Sequence, residues 1–197
     1  MGVPAPVESG TDSVRERQWV AAARGGDPEA FRRIVELYQD RLFTFLLRMV
    51  RHREEAEDVA QETFVRAWRH LASYDERWTF RTWLFSIARN LALNALRRPR
   101  ATILSIEGAE EDGHPERAVA ATTASPADQA ITGEQGRRLA HAVETLTARA
   151  AMIFTLFYQE GMGIAEIAQT VGMTCGAVRV ALHRARETLR QRLKESV

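Results

Sequence analysis

Between Phe31 and Met49 the apolar residues Phe31, Ile34, Val35, Tyr38, Leu42, Phe45, Leu46 and Met49 return at three- and four-residue spacing. That interval fits the 3.6-residue turn of an α-helix and not the two-residue alternation of a strand, so these side chains share one helical face. Asp27-Pro28-Glu29 stands just ahead of them. Asp27 is a helix cap, Pro28 fits the first helical position, and Glu29 favours the positive end of the helix dipole. The same periodicity predicts helices over Val14 to Ala23, Glu54 to Leu71, Phe80 to Arg98, Ser125 to Glu144, Ala148 to Gln159, Ile164 to Val171 and Thr174 to Lys194. Arg24-Gly25-Gly26 breaks the first, and Pro99 ends the one that begins at Phe80. No strand-like alternation, hairpin signal or internal repeat occurs, so the expected fold class is all-α.

Periodicity fails from Pro99 to about Ser125, a stretch holding Gly108, Gly113, Pro115 and a cluster of acids. It reads as a linker. The expected organisation is a disordered tail at 1–13, a helical bundle at 14–99, a flexible linker at 100–131 and a second helical bundle at 132–197. With 197 residues and 45% apolar content the chain has material for two small cores. A single cysteine, Cys175, excludes an intrachain disulfide, and no Cys/His cluster has metal-ligand spacing. Neither a metal nor another cofactor is expected. Met1 to Thr11 lacks the features of a signal peptide, and no run approaches the roughly 20 apolar residues that span a bilayer. The expected location is the cytoplasm, without membrane insertion.

The segment Ile164 to His183 carries the first functional signal. Small Ala168 lies four residues before Gly172, and Val178 lies six after it. A small residue lets two helices approach, a glycine takes a turn that strains other residues, and the valine anchors the second helix on the first. This is a helix-turn-helix pattern, whose second helix enters the DNA major groove. Two packed helices with a plain glycine turn remain the alternative. Along the last helix Val178, Leu182, Ala185, Leu189 and Leu193 form an apolar stripe. Arg179, His183, Arg186 and Arg190 form a second stripe, about 100° around the helix. Such a stripe neutralises phosphates. Val180 lies opposite the apolar stripe, where it suits a thymine methyl or is simply exposed.

The net charge of +1 hides a strong segregation. Glu54, Glu55, Glu57, Asp58 and Glu62 crowd one short segment, which suits a basic protein partner or is a solvated helix start. From Arg77 to Ile106 the balance inverts: Arg77, Arg81, Arg89, Arg97, Arg98 and Arg100 occur with no acid. Ser86, Arg89, Asn90, Asn94 and Arg97 share one helical face, and Leu84, Ile87, Leu91 and Ala95 share the opposite one. Arg and Asn suit base edges and phosphates. Tyr74, Trp78, Phe80 and Trp83 cluster beside them; aromatics next to arginines suit stacking on unpaired bases, with burial of Phe80 and Trp83 in the core as the alternative.

Three blocks, Ala56 to Trp68 (AEDVAQETFVRAW), Phe80 to Arg98 (FRTWLFSIARNLALNALRR) and Ile167 to Arg186 (IAQTVGMTCGAVRVALHRAR), resemble the extracytoplasmic-function group of the sigma-70 family. They follow the family's order and spacing. The resemblance implies an alternative sigma factor that binds core RNA polymerase through its β′ and β subunits and directs initiation at promoter DNA, with an anti-sigma factor as a further partner. It implies that Asp58, Gln61 and Glu62 dock on the β′ coiled coil. It implies that the loop from Ser73 to Thr79, with Tyr74, Asp75, Arg77 and Trp78, captures a flipped base of the −10 element. Arg81, Ser86, Arg89, Asn90, Asn94 and Arg97 then follow that element. Thr174, Gly176, Arg179, Val180, His183, Arg184 and Arg186 are implied to meet the −35 element. The linker acids Glu107, Glu110, Glu111, Asp112 and Glu116 are implied to mimic nucleic-acid charge inside the polymerase. Phe157, Gly163, Val180 and Ala181 depart from the family, which often has Arg, Ser and Ser-Arg there; each change removes a polar or cationic contact from the −35 surface.

The competing function is a helix-turn-helix regulator that binds duplex DNA without holding the polymerase. It accounts for the second bundle but not for the acidic and basic-aromatic helices of the first. A helical adaptor with merely solvated arginines predicts sequence-blind DNA binding. An enzyme lacks support: no nucleophile–base pair, metal cluster or phosphate-cradling glycine loop is present, and no catalytic residue is expected.

Overall fold

The computed structural model describes residues 10–97 and 134–195. Every regular element among them is helical. The first bundle contains α1 (Gly10–Arg24), α2 (Pro28–Val50), α3 (Arg53–His70), a single 3₁₀ turn (Leu71–Ser73) and α4 (Phe80–Arg97). The second contains α5 (Glu134–Glu144), α6 (Ala148–Tyr158), α7 (Ile164–Val171) and α8 (Cys175–Glu195). The linker expected at 100–131 and the start of the helix expected from Ser125 lie outside the described residues. Helix α1 begins at Gly10, four positions before the Val14 expected, because backbone bonds extend a helix past its first apolar residue.

The ends of these helices follow from local chemistry. Asp27 Oδ1 accepts from the backbone N–H of Glu29 at 2.9 Å and of Ala30 at 3.2 Å, with Pro28 in the first turn. Helix α2 stops at Arg51, which takes the left-handed conformation at φ 54° and donates its N–H to the Leu47 carbonyl. The Thr147 hydroxyl caps α6 by accepting from Ala150 N–H. Between α7 and α8, Gly172 turns the chain at φ 64°, and the Thr174 hydroxyl accepts from Ala177 N–H at 3.2 Å. The helix-turn-helix thus has the geometry its glycine demands.

The first bundle closes on Ile34, Tyr38, Leu42, Phe45 and Leu46 of α2 and Leu84 and Phe85 of α4, all buried. Phe45 meets Phe85 edge-on at 5.0 Å. Separate charge surfaces and a long linker gave no sign of the next feature. Met152, Ile153 and Leu156 of α6, Met162, and Ile167, Ala168 and Val171 of α7 join the same buried cluster. The opposite side of α6 packs through Ala151 and Phe154 on Ala142, Val143, Leu146, Ala185 and Leu189. Helix α6 is therefore buried on both sides, one against its own bundle and one against α2. Ile153 and Leu156 are fully buried, each contributing on the order of 2 kcal/mol.

A side chain added at Gly172 meets only the Arg89 guanidinium, at an ordinary 3.6 Å. Gly172→Ala therefore costs the left-handed backbone alone, about 1 kcal/mol, and lowers the melting temperature by about 2–4 °C. An unchanged melting curve would contradict the turn conformation.

Candidate nucleic-acid interface

Helix α8 buries Val178, Leu182, Ala185 and Leu189 and turns its other face outward. Thr174, Gly176, Arg179, Val180, His183, Arg184 and Arg186 are all exposed, Val180 at 51%. All seven residues expected to meet DNA from this helix are thus on the open surface. Arg186 is held in place: its Nε donates to the Tyr158 hydroxyl at 2.7 Å, and its guanidinium lies 5.6 Å from the rings of Phe157 and Tyr158. Phe157, a departure from the family's common arginine, is a platform for Arg186 and not an empty slot. Arg190 is drawn aside by Glu187 at 2.5 Å.

The first bundle presents its basic face unevenly. Asn90, Asn94 and Arg97 are exposed along α4, whereas Ser86 and Arg89 are half-buried. Ser86 donates its hydroxyl to the Thr82 carbonyl. The Arg89 guanidinium packs on Gly172 of the second bundle, and its buried Nε has no hydrogen-bond partner among the described residues. Burial, together with the charges of Arg149 and Arg97, lowers its affinity for a proton. Arg81 is 7% exposed and donates Nη1 to the Glu160 carbonyl.

In the loop before α4, Asp75 accepts from Arg77 N at 3.0 Å and Nε at 2.7 Å. The Arg77 guanidinium beside it holds the Asp75 carboxyl below its usual range. Arg24 ties α1 to the loop through Glu76 at 3.0 Å and the Ala72 carbonyl at 3.2 Å. Asp75 and Arg77 are exposed and Trp78 is half-buried. Tyr74 is buried, with its hydroxyl on the Trp78 carbonyl at 2.7 Å. Its ring lies 5.6 Å from Phe80 and 5.4 Å from Trp83. Of the four rings clustered in sequence, Tyr74, Phe80 and Trp83 therefore pack on one another.

On α3, Asp58 and Gln61 are exposed and tied to no other side chain among the described residues. Glu62 is half-buried and paired with Arg66 at 2.6 Å, and Glu57 is paired with Arg53 at 2.9 Å. Val65 and Trp68 continue the stripe at helical spacing and are 42% and 39% exposed. Trp68 rests against Phe31 at 5.0 Å. These two apolar residues stand beside the acids and Gln61 that alone were expected to form this surface. The signal was helical spacing: Val65 lies four residues after Gln61, and Trp68 three after Val65.

An all-helical protein with an open helix-turn-helix, a second basic face and a separate acidic–apolar stripe is a DNA-binding protein that also has a surface fit for a protein partner. The Sigma-70 region 2 family model matches residues 34–102, and the Sigma-70, region 4 model matches residues 136–189. The chain is 30% identical to the ECF RNA polymerase sigma factor SigW of Bacillus subtilis, over 89% of this chain and 95% of that protein. Its fold is similar to that of CnrH, solved in complex with the cytosolic domain of CnrY. The TM-score is 0.64 and the identity 24%, over 93% of this chain and 99% of that one. It is also similar to the sigma factor RpoE of Bartonella quintana, solved with the anti-sigma factor NepR. There the TM-score is 0.60 and the identity 22%, over 83% and 96% of the two chains. The chain belongs to the sigma-70 family, in the ECF group of RNA polymerase sigma factors.

Among the described residues no helix is long and apolar enough to cross a membrane, and no group of three His, Cys, Asp or Glu residues is arranged to hold a metal. The titratable group of most consequence is Glu166. Burial alone raises its carboxyl. The N–H of Gly163, the hydroxyl of Thr79, the charge of Arg81 and the hydroxyl of Thr82 outweigh this and hold it below its usual range. A depressed carboxylate stabilises the fold above its unfolded value and loses that stabilisation as pH falls through the folded value. Resistance to urea should therefore fall below about pH 4.5, the ordinary value for this carboxyl. Glu166→Gln should make that decline shallower; an unaltered pH profile would remove Glu166 from the account.

Proposed function

We propose that this sigma factor works through three surfaces, divided between a bundle at 14–99 and a bundle at 132–197 and joined by the linker at 100–131. The stripe of exposed Asp58, Gln61, Val65 and Trp68 on α3, with half-buried Glu62 beside them, docks on the β′ subunit of core RNA polymerase. Acids meet a basic partner there while the valine and tryptophan supply desolvated contact, the combination that concentrates binding energy in an interface. The loop from Ser73 to Thr79 and the α4 residues Arg81, Ser86, Arg89, Asn90, Asn94 and Arg97 hold the −10 element in its melted form. Helix α8 enters the major groove of the −35 element. Arg179, Val180, His183 and Arg184 face bases, and Arg186, seated on Tyr158, meets a phosphate.

The observation that carries this function is α8 with the turn before it: Val178, Leu182, Ala185 and Leu189 of its apolar stripe are buried and all seven DNA-suited positions stand open. A regulator that never holds the polymerase leaves the α3 stripe without a purpose. The place of action is the cytoplasm, where promoter DNA and polymerase meet. An anti-sigma factor that covers the α3 stripe would silence the protein.

Run-off transcription with core polymerase over a genomic promoter library tests the function, with transcripts from defined start sites expected and their absence fatal to it. Asp58→Ala should weaken core binding about tenfold with the helical content intact, as loss of an interface anchor does; unchanged affinity would free α3 from the docking role. Arg179→Ala should relax sequence preference at one −35 position. Arg186→Ala should weaken all duplexes alike and reduce the salt slope by about 1.

A further inference from the structure

The loop from Ser73 to Thr79 is shaped from within. Tyr74 donates its N–H to the Leu71 carbonyl at 3.1 Å, and Trp78 donates its N–H to the Asp75 carbonyl at 3.2 Å, which closes a tight turn with Glu76 and Arg77 at its corner. The Ser73 hydroxyl donates to the His70 carbonyl at 2.7 Å. These bonds fix the outline of the loop and leave open where its tip points relative to the bundle. Arg24, the last residue of α1, bears on that angle. Its Nη1 donates to Glu76 Oε1 at the tip at 3.0 Å, and its Nη2 donates to the Ala72 carbonyl at the base at 3.2 Å. One planar guanidinium therefore spans tip and base, and its rigid fork sets their separation.

Arg24 is itself well anchored. Val20 and Ala23 of the same helix are buried in the first bundle, and Glu16 accepts from the buried Tyr38 hydroxyl at 3.0 Å. Gly25 and Gly26 donate their N–H groups back to the Ala22 and Ala23 carbonyls at 3.0 and 2.9 Å. The surroundings of the loop are acidic: the charges of Glu16, Glu76 and Asp75 all act on the Tyr74 hydroxyl. A strand whose base enters this loop brings phosphates with it, and an unmatched carboxylate at the tip would repel them. Asp75 faces Arg77, and Glu76 faces Arg24, so each loop acid has a cation beside it. The Arg24 and Glu76 side chains are 41% and 76% exposed, and a pair this open adds little to global stability. Its weight falls on the loop.

We infer that Arg24 is a positioning residue, which by tying Glu76 to Ala72 holds the loop in the form that accepts one −10 base over the others. It acts through the loop and touches no base itself. The base rests on the sigma-factor function and on the role proposed for the loop; the tie between α1 and the loop does not. Arg24→Lys keeps the charge and loses the planar fork, because an ammonium is a point charge on a flexible stem. That variant therefore separates orientation of the loop from mere neutralisation of Glu76.

Amide hydrogen exchange on the free full-length chain reads the tie without polymerase or promoter. Arg24→Gln should speed exchange of the Tyr74 and Trp78 N–H groups several-fold, while the amides of α2 and α4 keep the protection of the parent chain. Both Arg24→Gln and Arg24→Lys should melt within about 2–4 °C of the parent. Holoenzyme reconstituted with core polymerase, transcribing a promoter library randomised through the −10 and −35 elements, reads the consequence. In both variants the preference for the favoured base should fall several-fold at one −10 position, with the −35 preference at its parent value. Unchanged exchange, unchanged preference, or an even loss of transcripts across all sequences would overturn the positioning role. A preference lost in Arg24→Gln but kept in Arg24→Lys would reduce Arg24 to a counter-charge for Glu76 and overturn it likewise. Absent transcripts from the parent chain, beside faster exchange in Arg24→Gln, would sink the sigma-factor function and this use of the tie with it.

Discussion

The pairing of Glu160 with Arg41 is the constraint on which the arrangement of this molecule depends. A carboxylate taken out of water costs several kcal/mol, and only a well-placed cation with further hydrogen bonds offsets that cost. Glu160 sits in the turn that leads from α6 into the helix-turn-helix, and its partner stands on the central helix of the other bundle. The 2.7 Å contact ties the end of α6 to α2. The apolar residues Ile153 and Leu156 then fall into the core begun by Ile34, Leu42 and Phe45. Burial supplies most of the energy and has little directional preference; the ion pair selects one alignment from those that burial alone would allow.

That alignment treats the two basic surfaces differently. Helix α8 keeps its outward face clear, so Arg179, His183 and Arg184 are free in the same conformation that half-buries Arg89. The α3 stripe is clear as well. The positions proposed for polymerase docking and −35 contact are therefore open in the packed arrangement, while part of the α4 face is covered. In this arrangement the face of α4 meets the Glu160 carbonyl, the Glu166 carboxylate and Gly172 of the second bundle, whereas a DNA strand in the proposed role would offer it phosphates and bases. Arg89 is poorly served by the first and well suited to the second.

Elements whose cause is local were legible in the sequence. The spacing from Phe31 to Met49 gave α2 nearly to its ends, since Asp27 and Pro28 act on their own neighbours. Gly172 marked the turn because a left-handed residue excludes most side chains. The exposure of the α8 positions followed from a clean apolar stripe. What escaped depends on distance along the chain. Arg48 and its partner Thr155 are 107 positions apart, and no periodicity within α2 says what a lone arginine stripe will meet. Tyr74, Phe80 and Trp83 were ambiguous for a related reason, because an aromatic suited to stacking on bases is equally suited to stacking on other aromatics. That Phe157 lies under the Arg186 guanidinium was not legible either, since Arg186 lies on another helix.

A double-mutant cycle between Arg41→Gln and Glu160→Gln, followed by urea unfolding, tests most directly whether the two bundles share one core. Each single change should destabilise the fold. The pair together should cost less than the sum, leaving a coupling of about 0.5–3 kcal/mol, as contacting residues in one network do. Strict additivity would mean that the two side chains do not meet in solution, and the shared core would fall with them.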